Sequence, residues 1–267
     1  MIDGIERHPC YINALVYTQM NVNQGMILHG DRGKQSAMKE VKNLVSRECF
    51  GEVDYDSLTA EQKRNALPIL MFMVEKRNGI LKTRGCADGR RQRLWTDKND
   101  VSSPTPSIES IKYILALIAL ERRDVATFDL PAQFLQTEME ETLYLAIRGV
   151  VALLLVESDP KRWGKHLRKE NGRAVIYVKC NKAIYGTLNA AILAYKKLTN
   201  HLKEWGFKVN DYDPCVWNKM VNGSQLTVVF HVDDGMVSHA NPLVVTHFLR
   251  RLESVYGKTD PLTSIWE

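Results

Sequence analysis

The feature that most constrains this chain is the stretch 226–240, LTVVFHVDDGMVSHA, where two apolar, β-branched runs are separated only by Asp233-Asp234-Gly235. Runs joined that closely must pair antiparallel, because a parallel partner needs a crossover of about a dozen residues or more. An isolated hairpin is marginal in water, so other segments must supply strands beside it and a layer against it. VATFDL (125–130) and RAVIYVK (173–179) read as such strands.

Helices follow from capping and periodicity. Ser107 caps a helix through 122 whose apolar residues, IKYILALIAL, lie on nearly every side, so the pattern predicts a buried helix. Thr187 or Asn189 opens another, with Leu188, Ile192, Tyr195, Leu198, Leu202 and Trp205 on one stripe before Gly206 stops it. Asn241 and Pro242 begin a last helix that ends at Gly257. Nearer the N-terminus, KQSAMKEVKNLVSR predicts a helix over 34–47, and SLTAEQKRNA resembles a helix start at Ser57 or Thr59. LMFMVEK and ILKTRG, joined through Asn78-Gly79, predict a second hairpin within the most basic stretch, Lys76 to Arg93. The economical assembly is α+β, an antiparallel sheet with helices on one face.

At 45% hydrophobic and 25% charged, the 267 residues describe a globular chain with a core. A net charge of +5 and a pI near 8.9 favour an anionic partner. Five scattered cysteines without a C-x-x-C pair argue against a disulfide framework and a zinc ribbon, and fit a reducing compartment. MIDGIERHPC lacks the apolar core of a signal peptide, and ILALIAL (114–120) and VVALLLV (150–156) are too short to span a bilayer. These features predict a cytoplasmic or nuclear protein with no membrane partner.

The chemistry lies in carboxylates. Asp129 ends one predicted strand and Asp233 and Asp234 lie at a hairpin tip, so pairing the two would bring three acids to one sheet edge. Hard oxygen ligands suit Mg²⁺, which leaves positions for water and substrate phosphates. Two such ions serve an in-line displacement at phosphorus. Taken singly, Asp-Asp-Gly is more often a plain type I′ turn, and a strand-terminal aspartate such as Asp129 often caps the next helix. A third arrangement is a metal hydrolase site in which His231, Asp233 and His239 hold zinc.

The text around these acids resembles the reverse transcriptase of copia-type long-terminal-repeat retrotransposons, part of a Pol polyprotein. Asp129-Leu130-Pro131-Ala132-Gln133-Phe134-Leu135 matches the family's D-x-x-x-A-F-L. Lys182-Ala183-Ile184-Tyr185-Gly186-Thr187-Leu188-Asn189 matches K-A-L-Y-G-L-K-Q, and His231-Val232-Asp233-Asp234 matches Y-V-D-D. SSPTPS (102–107), LKTRGCADGRRQR (81–93) and DYDPCVW (211–217) match in the same order, from about residue 35 onward.

The resemblance implies a right-hand polymerase. The expected fold is fingers and palm, with the palm an antiparallel RRM/ferredoxin-like sheet packed on helices. Residues 1–65 would be a helical or linker segment, 66–106 fingers, and 107–267 palm with finger elements inserted at about 140–182. Thumb, connection and ribonuclease H are expected to be absent. The implied activity is RNA-directed DNA synthesis by a two-metal mechanism on an RNA or DNA template-primer, with Mg²⁺ or Mn²⁺ and deoxynucleoside triphosphates. A catalytically inactive relic that binds nucleic acid is the alternative. Asp129 and Asp233 would ligate both metals, with Asp234 as third carboxylate and the Leu130 carbonyl as backbone ligand. Lys82 and Arg84 would meet the triphosphate, Phe134 would exclude a ribose 2′-hydroxyl, Gly186 and Asn189 would line the nucleotide site, and Lys258 would serve as general acid. The implied location is a cytoplasmic virus-like particle or the nucleus.

Several positions depart from the family pattern, and Pro131 lies in the turn that aims the Asp129 carboxylate. Gln133 replaces a small residue and would crowd the nucleotide pocket, Asn189 shortens a glutamine, His231 replaces a tyrosine, and Gly235 replaces an apolar residue and would loosen its strand.

Overall fold

A computed structural model of the chain describes residues 19–97 and 101–257. They form two compact units of mixed α and β structure, one from the described residues of 19–95 and 139–187, the other from 96–97, 101–138 and 188–257.

The first unit is built on a seven-stranded sheet. Its strands are β1 (Met20–Asn21), β2 (Phe50–Glu52), β3 (Leu67–Glu75), β4 (Leu81–Ala87), β6 (Tyr144–Arg148), β7 (Arg168–Glu170) and β8 (Arg173–Cys180). β3 pairs antiparallel with β4 from Ile69↔Ala87 to Glu75↔Leu81, which is the hairpin expected around Asn78-Gly79. Helix α1 runs from Val22 to Ser46, starting earlier than the 34–47 read from the sequence and broken at Gly30, whose φ of 53° is non-helical. It packs against β3, β4 and the helix α4 (Val150–Ser158). Helix α2 (Ala60–Asn65) opens on Thr59, whose side chain and that of Gln62 form a reciprocal capping box. It covers the opposite sheet face beside Ala146 and Tyr177. A short helix α5 (Pro160–Trp163) follows α4.

Two Asn-Gly turns that the sequence reading overlooked close hairpins. Asn171-Gly172 joins β7 to β8, and Asn222-Gly223 joins two strands of the second unit. All four residues have positive φ, the backbone of a type I′ turn, which Asn and Gly adopt at least cost.

The second unit holds a five-stranded sheet in the order β5-β12-β11-β10-β9, antiparallel throughout. These strands are β5 (Asp124–Asp129), β9 (Lys208–Val209), β10 (Val216–Val221), β11 (Ser224–His231) and β12 (Asp234–His239). One face buries Ala126, Phe128, Val228, Phe230 and Val237 against α6 (Ala190–Glu204) and α7 (Pro242–Tyr256). The other buries Val125, Val216 and Val229 under α3 (Ile108–Glu121). Helices therefore lie on both faces, not one. Period-2 alternation explains this, because β5 and β11 carry apolar residues on both sides and each side needs a cover.

Helix α3 is also not buried all round. Ser107 caps it as expected, but among its residues only Ile114 and Ile118 are buried, and Tyr113 and Leu120 are 66% and 81% exposed. A single helix laid on a sheet covers one stripe, whatever the composition of its outer side. Among the described residues no helix is long and apolar enough to cross a membrane. Cys49, Cys86, Cys180 and Cys215 are free thiols, and burial pushes those of Cys49, Cys180 and Cys215 up to about 12.

Candidate active site

Strand register brings two of the acids together. Asp234, the first residue of β12, stands directly opposite Asp129, the last of β5. Residues directly opposite in adjacent strands share a face, so both carboxylates turn to the α3 side, and both residues are exposed. His231, opposite Asp234 on β11, joins them. The Leu130 N–H donates to the Asp233 carbonyl at 2.8 Å, closing the ladder one step beyond the pair.

Asp233 is not the partner of Asp129 in this register. It occupies a two-residue turn with Val232, between His231 and Asp234. Val232 has a φ of 58°, while Asp233 is not in the left-handed region, so the turn has the II′ pattern and not the I′ pattern weighed from Asp-Asp-Gly. A β-branched residue at positive φ stores backbone strain. Gly235 is not a turn residue either, since it pairs with Phe128 inside the ladder.

The two facing acids border a cleft of about 650 Å³ between α3 and the sheet, with Ile111, Leu115, Thr127 and Met236 among its walls. Its mouth is carboxylate and its floor apolar. Asp129 and Asp234 are hard, exposed oxygen donors of the type Mg²⁺ takes, and Mg²⁺ commonly uses one or two carboxylates plus water and phosphate oxygens. Their chemistry fits a divalent cation. Among the described residues no group of three His, Cys, Asp or Glu side chains is gathered to hold a metal ion. The Leu130 carbonyl, expected as a backbone ligand, accepts the Gln133 N–H at 3.2 Å.

That finding also removes the zinc arrangement. His231 and His239 fall on opposite faces of the sheet and at opposite ends of β12's pairing, because they are separated by the turn and by an even-to-odd change in alternation. His239 is 1% exposed, takes the Asn241 N–H on Nδ1 and lies 3.2 Å from the Val221 carbonyl through Nε2.

The turn after Asp129 is tightly held. Ala132 adopts a φ of 52°, and Phe134–Gln136 form a 3-10 turn. The Gln136 amide donates to the carbonyls of Pro131 and Tyr256, both at 2.8 Å, while Lys197 Nζ donates to the Gln136 carbonyl at 2.6 Å. Phe134 is half-buried in this turn. Gln133 is 1% exposed, and its Oε1 has no hydrogen-bond partner among the described residues. The Oδ1 of Asn189, at the start of α6, is likewise buried without a partner. Two of these departures thus bury amide oxygens that have no hydrogen-bond partner among the described residues, which sequence spacing alone does not reveal.

The remaining candidates belong to the first unit. Lys82 and Arg84 alternate with buried Thr83 and Gly85 on β4, so both cations stand on its outer face, with Arg84 5.2 Å from the Tyr185 ring centroid. Gly186 has a φ of 89°, and the Ala87 carbonyl occupies the space of a Cβ there, so its smallness is required by the chain's own backbone. Lys258 lies outside the described residues.

The polar group that the sequence reading missed is Asp213. It is 3% exposed and accepts the Ser107 N–H and the Cys215 N–H, each at 2.9 Å, which anchors the start of α3 at the edge of the cleft. An acid before proline, far from Ser107 in sequence, gives no local sign of that role.

The geometry gives a sheet-borne pair of acids beside an open cleft, and comparison with known proteins is more specific. Residues 60–263 match the family model described as reverse transcriptase (RNA-dependent DNA polymerase), and the chain belongs to that family. The copia-type resemblance read from its motifs is borne out: the chain is 25% identical over 157 residues to the retrovirus-related Pol polyprotein from transposon TNT 1-94 of Nicotiana tabacum. That match covers 58% of the chain, which spans about 10% of the length of this relative. Among solved structures, a foamy viral protease-reverse transcriptase, described in complex with double-stranded DNA, aligns over 86% of the chain and 32% of its own, at 14% identity and a TM-score of 0.41.

Proposed function

We propose that the chain provides the fingers and palm of an RNA-directed DNA polymerase. It would extend a primer 3′-hydroxyl with deoxynucleotides on an RNA or DNA template. The observation that carries this reading is the direct opposition of Asp129 and Asp234 across β5 and β12, on the cleft side of the sheet, in a member of this family. On this reading residues 66–106 are fingers and 107–267 a ferredoxin-like palm, with finger elements inserted at about 140–182.

Asp129 and Asp234, with Asp233 beside them, would hold Mg²⁺ or Mn²⁺. When bound, such cations lower the pKa of an attacking hydroxyl and steady charge on a displaced phosphate. The chain's own contribution is positional. Strand pairing fixes the backbone positions of the two acids, and the Leu130 N–H to Asp233 carbonyl hydrogen bond extends that pairing one step into the turn. Lys82 and Arg84 would offer donors to the triphosphate, Arg84 through a planar fork suited to phosphate oxygens. The half-buried Phe134 ring would discriminate against a 2′-hydroxyl by volume. Gly186 and Asn189 would border the nucleotide site, and Lys258 would protonate the leaving pyrophosphate.

Primer extension tests the proposal, using this chain with and without added downstream domains and with Mg²⁺ or Mn²⁺. Extension that disappears in Asp129→Ala and Asp233→Ala is the expected result. Oligonucleotide binding without any extension under all these conditions would assign the chain to nucleic-acid binding alone.

A further inference from the structure

The outer face of the seven-stranded sheet holds a second concentration of positive charge, apart from Lys82 and Arg84. In β6 and β8, Leu145, Ile147, Ile176 and Val178 are fully buried on the side of α1 and α4. Ala146, Arg148, Val175 and Tyr177 alternate with them and turn to the side of α2. There a pocket of about 450 Å³ is lined by Lys63, Arg64, Arg91 and Arg148, with Glu170 as its one carboxylate.

The charge of Glu170 is already engaged. It accepts Arg148 at 2.8 Å, the Tyr177 hydroxyl at 3.1 Å and the Tyr55 hydroxyl at 3.2 Å. Partial burial pushes its carboxyl up, but Arg148 and the two tyrosines outweigh that, and its pKa lies below the ordinary value. It cannot also neutralise the other cations. The Lys63 ammonium sits 3.4 Å above the Tyr55 ring, and Arg91 donates to the Arg64 carbonyl, which ties the 3-10 turn Gly89–Leu94 to α2. The Arg64 guanidinium is exposed and has no hydrogen-bond or ion-pair partner among the described residues. Cations gathered without counter-charge repel one another, and an anion removes that cost. Arg148 is paired with Glu170, but Lys63, Arg64 and Arg91 line the same concavity, and an arginine fork suits the tetrahedral oxygens of phosphate.

We propose that this pocket binds a phosphodiester group of a single nucleic-acid strand, a site separate from the carboxylate cleft. A flexible strand can lead one phosphate into a concave pocket, whereas a stiff duplex carries its phosphates on a convex surface. The proposal rests on the nucleic-acid reading given above, and its test is chosen to fail independently.

The test is binding of a labelled single-stranded oligonucleotide across a salt series, for the wild-type chain, Arg64→Ala and Arg64→Glu. Because the Arg64 guanidinium holds no other part of the fold, thermal unfolding of both variants should match the wild type. Arg64→Ala is expected to weaken binding several-fold and to reduce the slope of log K against log salt by about 0.7, one phosphate contact on a single strand, with a larger loss for Arg64→Glu. Unchanged affinity and slope in both variants, with the wild type binding and extending primers, would overturn this site and leave the polymerase reading intact. Millimolar inorganic phosphate that raises the unfolding temperature of the wild type but not of Arg64→Glu, with strand affinity and slope unchanged in both variants, would overturn the strand assignment in favour of a free phosphate ligand.

Discussion

The Phe128 ring fills the space that a side chain on Gly235 would occupy, directly across the β5–β12 ladder. A glycine in a strand ordinarily leaves a gap and a loose backbone. Here the ring covers it, so Gly235 does not loosen the strand that carries Asp234, contrary to the expectation from sequence. Phe128 is 5% exposed and packs on Phe248 of α7, with ring centroids 6.1 Å apart.

Adding a methyl at Gly235 should therefore overpack this contact. Gly235→Ala is expected to destabilise the chain by about 1–3 kcal/mol, and Phe128→Leu in the same chain should recover part of that loss. Chemical denaturation of the two single variants and the double variant measures the coupling. Additive losses would show that the ring and the glycine do not depend on each other.

Val232 bears strain at the tip of the β11–β12 hairpin. A left-handed conformation costs an L-residue about 1–2 kcal/mol, against about 0.5–1 kcal/mol for the extra freedom of glycine in the unfolded chain. Val232→Gly should accordingly unfold at or above the temperature of Val232→Ala. A clearly lower midpoint for the glycine variant, measured by calorimetry, would mean that the turn is not strained.

Asp213 joins two backbone N–H groups that have no other acceptor in view. Burial raises its pKa, but donors from Ser110, Ser107 and Cys215 outweigh that, and the net shift is downward. Asp213→Ala orphans the Ser107 and Cys215 amides at the start of α3, at about 1–3 kcal/mol for a buried donor. The midpoint of thermal unfolding should fall, and amide exchange at Ser107 and Cys215 should accelerate ahead of the rest of the sheet.

Glu52 gives the first unit a pH dependence. Hydrogen bonds from Lys165, His166 and Arg162 lower its pKa from 4.5 to about 2. A depressed folded-state value means that its contribution is present above 4.5 and is lost as pH falls toward 2. The side chain is 37% exposed, so solvent screening keeps the effect small. Glu52→Gln should lower stability slightly at neutral pH and converge on the wild type as pH falls toward 2, flattening the profile across that window, as followed by denaturation at stepped pH.

Much of the second unit was legible in the sequence because its information is local. The β11–β12 hairpin, the Ser107 cap, the Asn241-Pro242 start and the Gly206 and Gly257 stops each depend on residues a few positions apart. The ordered motifs around Asp129, Gly186 and Asp234 likewise carried the family, since the order of short patterns survives where overall identity is low. The extent of α1 was misread because its first turns include glycines and exposed Ile27 and Leu28, which break the expected periodicity.

The pairing of Asp129 with Asp234 instead of Asp233 depended on register, and a slip of one residue would have turned every side chain of the strand to the other face. Register is set by packing on two sheet faces at once, which no local pattern encodes. The same holds for Phe128 over Gly235, for Asp213 beneath α3 and for the orphaned oxygens of Gln133 and Asn189. In each case the decisive neighbour is distant in the chain, and only closure of the core brings it into contact.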